Sequence, residues 1–251
     1  MKRWQCISAK RLLLAHFFVL TLILSCAVEA QTEKTSREMG GVDLTGVVFS
    51  RQVDKSFPVR EHASLFISHK FGGAIRVSTW DNPVINLQAR IKVGAKNMTL
   101  AEHFAQSISI DAKKEGNHVD LRTVFPDTQA SAAIGGYEVE LLITVPSSIS
   151  ITAENLFGDC YIDGVEDDVT VDVGFGGIYL SNIGGQVNVR AKGEYPMNIS
   201  DLRNGGTFFL RGTQAHFSRI GGHITIQNHL GDVTIENLLE EADVAVTCDN
   251  G

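Results

Sequence analysis

The chain is predicted to be all-β: a single-stranded β-solenoid with coils of about 18 residues behind a sheet-rich N-terminal cap. Three observations carry that prediction. Five tetrapeptides, IDGV at 162–165, LSNI at 180–183, ISDL at 199–202, FSRI at 217–220 and IENL at 235–238, begin 18, 19, 18 and 18 residues apart, and self-similarity at a fixed period marks stacked structural repeats. Each is followed by an alternating run (DVTVDV, GQVNV, GGTFFL, GGHITI, EADVAV) with the two-residue period of a strand. The glycine steps between them, as in GFGGIYLSNIGGQVNV at 174–189, run into further strands and not into a helix.

Taken in order, the first 30 residues stand outside the fold. Lys2, Arg3, Lys10 and Arg11 precede an apolar run from Leu12 to Leu24, about half the length needed to cross the ~30 Å hydrocarbon layer. This reads as a secretory signal peptide over 1–30. Two exits are legible: Val28 and Ala30 permit signal cleavage after Ala30, and LILSC fits lipoprotein processing with Cys26 as the lipidated residue. The polar stretch over 31–45 is then a flexible tether. The expected localisation is exported: periplasm, outer-membrane lipoprotein, or cell surface or secreted.

Without residues 1–30 the chain carries 18 Lys and Arg against 28 Asp and Glu, a net charge of −10. That balance disfavours nucleic acid and anionic lipid surfaces, which recruit clustered Lys and Arg; membrane contact is expected only through lipid on Cys26. About 220 residues remain, enough for one continuous domain with a real core.

From 46 to 145 the pattern is β-rich but less regular, and this span is expected to cap the first coil and cover its edge. SLFISHKFGGAIRVSTWD shows a glycine step with alternation, PVINLQARIKV and GYEVELLITVP read as longer strands, and a turn falls at Glu115–Asn117. One short helix is predicted over Thr99–Ser107.

From 146 to 251 the coils are regular. The outer tetrapeptide columns, Ile162, Leu180, Ile199, Phe217 and Ile235, and Val165, Ile183, Leu202, Ile220 and Leu238, are all large and apolar; they form the predicted inward core ladder. The third column, Gly164, Asn182, Asp201, Arg219 and Asn237, holds four residues of types that accept tight local turns, so the chain bends there. Cys160 and Cys248 lie about five coils apart, on the order of 20 Å along the axis, and a disulfide spans only ~6 Å; they are not expected to pair. The last coil leaves an uncovered strand, which predicts that the full gene product continues past Gly251.

The stretches GGAIRVSTWDNPVINLQARIKVGA and ITVPSSISITAENLFGDCYIDGVEDDVTVDVGFGGIYLSNIGG resemble the bacterial putative adhesin domain of unknown function, over roughly residues 60–251. The resemblance implies a right-handed, single-stranded β-helix in an exported or envelope-associated protein. It brings no catalytic residues with it.

Chemistry is sparse along the frame. A phosphate-binding glycine loop needs a helix N-terminus after its glycines, and none follows. A polysaccharide-cleaving β-helix, of pectin lyase or polygalacturonase type, needs carboxylates in one column of adjacent coils, yet Asp163 is followed by Ser181, Ser200, Ser218 and Glu236, and Asp159 by Gly177, with Asp232 four coils on. The glycine steps lack the aspartates of calcium-binding nonapeptide repeats. His216, His223 and His229 fall in three different columns, which argues against a shared metal. The sequence therefore predicts a non-enzymatic binding or scaffold protein with no catalytic residue, metal or cofactor and with an envelope or cell-surface ligand. The alternatives are a structural envelope protein that self-associates end to end and a polysaccharide-active enzyme.

Overall fold

The computed structural model describes residues 44–70, 72–126 and 133–249. The signal peptide, Cys26, the cleavage position after Ala30, most of the tether and Gly251 lie outside the described residues.

The chain opens with β1 (Val47–Pro58), β2 (Ala63–His69), β3 (Ile75–Trp80) and β4 (Val84–Ala95), then α1 (Met98–Ser107). It continues through β5 (Ser109–Glu115), β6 (His118–Val124), β7 (Ile134–Pro146), β8 (Ile149–Phe157) and β9 (Cys160–Asp163). Next come β10 (Val169–Phe175), β11 (Ile178–Ile183), β12 (Val187–Lys192), β13 (Pro196–Leu202) and β14 (Gly206–Arg211). The last are β15 (Gln214–Ile220), β16 (His223–His229), β17 (Val233–Leu238) and β18 (Asp243–Asp249).

Among the described residues these strands form two nine-stranded sheets. Sheet A runs β1-β4-β7-β3-β9-β11-β13-β15-β17, and sheet B runs β18-β16-β14-β12-β10-β8-β2-β6-β5. From β8 onward the chain visits B and A alternately, one strand in each per coil, and every rung in this region is parallel. The fold is a β-solenoid of two strands per coil, as the repeat predicts.

The inward columns fall into register as read. Leu180 pairs with Ile162 on one side and Ile199 on the other, and the ladder continues to Phe217 and Ile235. The second column links Ile183, Leu202, Ile220 and Leu238. Nine of the ten residues of the two columns, Val165 included, are fully buried and Leu238 partly so. Apolar area removed from water at ~25 cal/mol per Å² drives the stacking, since one coil alone has no interior. Phe208 of sheet B meets Phe217 of sheet A edge-on at 4.9 Å between ring centroids, which closes the core between the layers.

The predicted bends are left-handed at every coil: Gly164, Asn182, Asp201, Arg219 and Asn237 have φ of 83°, 55°, 57°, 53° and 55°. Asn and Asp enter this region easily. Arg219 does not, and it is tied down by its neighbour one coil back: its guanidinium grips the Asp201 carboxylate in a fork, with Nε donating to Oδ1 at 2.6 Å. That contact holds the Asp201 carboxyl below its usual pKa range.

The glycine steps are coil corners stacked backbone on backbone. A Cβ on Gly158 would sit 2.0 Å from the Gly73 carbonyl oxygen, and one on Gly176 would sit 2.0 Å from that of Gly158. No other residue fits such a column. In sheet B the coil length is 18, 18, 19, 18 and 20 residues between Ile151, Val169, Val187, Gly206, Ile224 and Val244. The longest step is taken up by the turn over 239–242, where Ala242 N–H donates to Leu239 O at 3.3 Å.

Residues 46–145 contribute more than a lid. β2 and β3 occupy the same two sheets as the later coils, with Ala63 opposite Ile149 and Ile75 opposite Cys160. The span 84–146 is inserted between that turn and the next. Its β4 and β7 extend sheet A in antiparallel pairing with β1 outermost, and the β5–β6 hairpin extends sheet B. The helix falls where predicted: Asn97 caps it through Oδ1, which accepts from Leu100 N–H at 2.9 Å, and Ala101 and Ala105 are buried. Among the described residues no helix is long and apolar enough to cross a membrane.

Candidate functional site

Strand alternation places residues i and i+2 on the same face, so each outward position forms a column along the solenoid axis. On sheet A one column contains Arg76, Tyr161, Tyr179, Asn198, His216 and Thr234. Tyr161 and Tyr179 stack at 4.5 Å and 6°, and the Arg76 guanidinium lies 3.9 Å from the Tyr161 ring centre. Arg76 also reaches Glu140 at 3.1 Å. Asp159, buried beneath, accepts from Gly177 N–H at 2.8 Å and from the Tyr161 hydroxyl at 2.9 Å. Burial, then the hydrogen bond to Asp159, raises the Tyr161 pKa, so the phenol stays protonated.

Burial also pushes the Cys160 thiol up to about 12. It is a free, buried thiol, unpaired with Cys248 as the spacing predicts. A thiol held protonated and away from solvent is a poor nucleophile. The whole cluster is a satisfied strut.

The Asp163 column follows the predicted register, but on sheet B Glu154 and Asp172 stand on adjacent rungs of one outward column, a carboxylate neighbourhood that corrects the expectation of none. Asp163 stands beside Ser181, followed by Ser200, Ser218 and Glu236, and its carboxylate accepts from Ser181 Oγ at 2.5 Å and Asn182 Nδ2 at 2.8 Å. His216 lies on sheet A, whereas His223 and His229 occupy opposite ends of β16 in sheet B. Among the described residues no group of three or more His, Cys, Asp or Glu side chains is arranged to hold a metal ion.

Sheet B carries the feature that the sequence reading missed. Two neighbouring outward columns form ridges, one of Asp172, Arg190, Phe209, Gln227 and Thr247 and the other of Lys192, Arg211, His229 and Asp249. Between them lies a groove of about 370 Å³, whose lining includes Ala191, Leu210 and Asn228 from the intervening positions. Phe209 is 43% exposed. His229 Nδ1 is 3.7 Å from Asp249 Oδ2. Among the described residues Arg190, Lys192 and Arg211 have neither an ion pair nor a side-chain hydrogen bond. The sequence does carry the signal: stepping the repeat from Lys192 by 19 and then 18 residues reaches Arg211 and His229.

Fold and site together define a two-sided β-solenoid with a cationic groove on one outer face of an acidic chain. No family model matches the sequence, and no curated protein does. Solved structures do resemble it. A putative adhesin from Bacteroides fragilis is 16% identical, with 80% of this chain and 97% of that one covered at a TM-score of 0.43. A putative cell adhesion protein from Clostridium sporogenes is 10% identical, with 80% and 100% covered at 0.33. A putative lipid binding protein from Parabacteroides distasonis is 8% identical, with 79% and 97% covered at 0.34.

Proposed function

We propose that this chain is an exported, non-enzymatic binding protein of the cell envelope or surface, and that its solenoid is a rigid support for an outward-facing recognition surface. The observation that carries the reading is the division of labour along each strand. Inward positions are used up by one continuous apolar interior, which leaves the outward columns free to vary without cost to the fold. The export pattern over residues 1–30 supports the same reading.

The test is a pull-down from envelope fractions with the purified protein and two surface variants. One carries Thr170→Glu, Thr207→Glu and Thr225→Glu on sheet B, and the other Ser181→Lys and Ser200→Lys on sheet A. The expected result is retention of an envelope component by the parent and its loss in at least one variant, with melting temperatures unchanged to within about 2 °C, since surface substitutions cost little. No retention by the parent, or equal retention by all three, overturns the reading.

A further inference from the structure

We infer that the sheet B groove binds a linear anionic polysaccharide of the uronate type, with the sugar chain lying along the solenoid axis; this rests on the binding reading above and names its ligand. Three observations meet in the groove. Lys192 and Arg211 stand on successive rungs, with Arg190 on the opposite ridge, and all three lack an ionic partner among the described residues. Even Asp172, the rung neighbour of Arg190, forms no ion pair with it. Uncompensated cations on a chain with a net charge of −7 are complementary to an anionic ligand.

The second observation is spacing. Rungs of a sheet repeat every ~4.8 Å, close to the length of one pyranose residue, so a chain with one carboxylate per sugar meets Lys192 at one step and Arg211 at the next. The third is Phe209, whose exposed ring sits among these cations. An aromatic ring offers an apolar platform to the C–H face of a sugar, whereas an inorganic anion has no use for it. Concavity decides against a membrane, because the groove lies below two ridges of side chains and a flat bilayer cannot enter it. At its far end Asp249 faces His229, so the cationic stretch covers the Arg190, Lys192 and Arg211 end.

The experiment is titration calorimetry of the full-length protein with polygalacturonate, with dextran as the neutral polymer and phosphatidylglycerol vesicles as the anionic surface. Polygalacturonate is expected to bind, with an affinity that falls as salt is raised, and dextran is not. The triple variant Arg190→Gln, Lys192→Gln, Arg211→Gln is expected to bind about 10- to 100-fold more weakly, because hydrogen bonds to charged groups are lost. Phe209→Thr is expected to lose about 3- to 10-fold while the salt dependence is kept. Equal affinity of parent and triple variant, stronger binding to vesicles than to polygalacturonate, or no binding to polygalacturonate overturns the inference. If envelope retention persists in the triple variant, the binding reading stands and only the groove assignment falls.

Discussion

Phe217→Ala is expected to lower the unfolding free energy by about 3–5 kcal/mol, the range for removing a fully buried aromatic ring, and the melting temperature by about 8–16 °C in a domain of this size. Phe217 has no exposure, its ring meets Phe208 across the two sheets, and Ile199 and Ile235 lie directly above and below it. None of these neighbours can swing in to refill the space without breaking its own rung, so the cavity persists. Phe209→Ala is the internal control. It removes the same ring from the next residue after Phe208, but from the outer face, and is expected to change stability by less than about 0.5 kcal/mol. Chemical denaturation of the two variants beside the parent reads both values. Equal losses for Phe217 and Phe209 would mean that the strand's two faces are not divided as described.

The second large effect is a pH dependence centred on His69. This residue is fully buried at the end of β2, with Nδ1 3.0 Å from Thr123 Oγ1 and the ring tilted against Phe125. Burial lowers its pKa from the ordinary 6.5 to about 4. Between those values the unfolded chain takes up a proton that the folded chain refuses. Stability is therefore full above pH 6.5 and falls as pH drops towards 4, by about 3 kcal/mol at most. His69→Asn is expected to flatten that part of the stability curve, whatever it does to the plateau. An amide suits the position, since the next rung already holds Asn155, buried, with Nδ2 donating to Gly73 O at 3.1 Å. Carboxylates held low by arginine, such as Asp201 and Asp120, lose their contribution only at still lower pH. Parallel curves for parent and variant from pH 7 to 4.5 would show that His69 is not the group responsible.

The interior of this molecule is legible in its sequence because each inward position faces the same demand in every coil. Ile162, Leu180, Ile199, Phe217 and Ile235 are constrained to be large and apolar by the coils on either side, and the left-handed corner limits the residue at 182, 201 and 237 to Asn or Asp. Arg219 breaks that preference by type; its register, one coil after Asp201, marked it as a corner. Two features were hidden. The turn made by β2 and β3 stacks on β8 and β9 across an insertion, with Ile75 opposite Cys160, and no local periodicity spans such a gap. The groove was hidden for the opposite reason. Outward columns carry no packing constraint, so Arg190, Lys192 and Arg211 leave no apolar signature and become visible only when the coil length is applied to exposed positions.

The winding itself is tested most directly by methyl nuclear Overhauser contacts in solution. Leu180 is predicted to show strong contacts to both Ile162 and Ile199, residues 18 and 19 positions away in sequence, with all three methyl signals untouched by a soluble paramagnetic agent. Missing contacts between these methyls, or broadening of the Leu180 signal by the agent, would contradict a chain coiled around one shared interior.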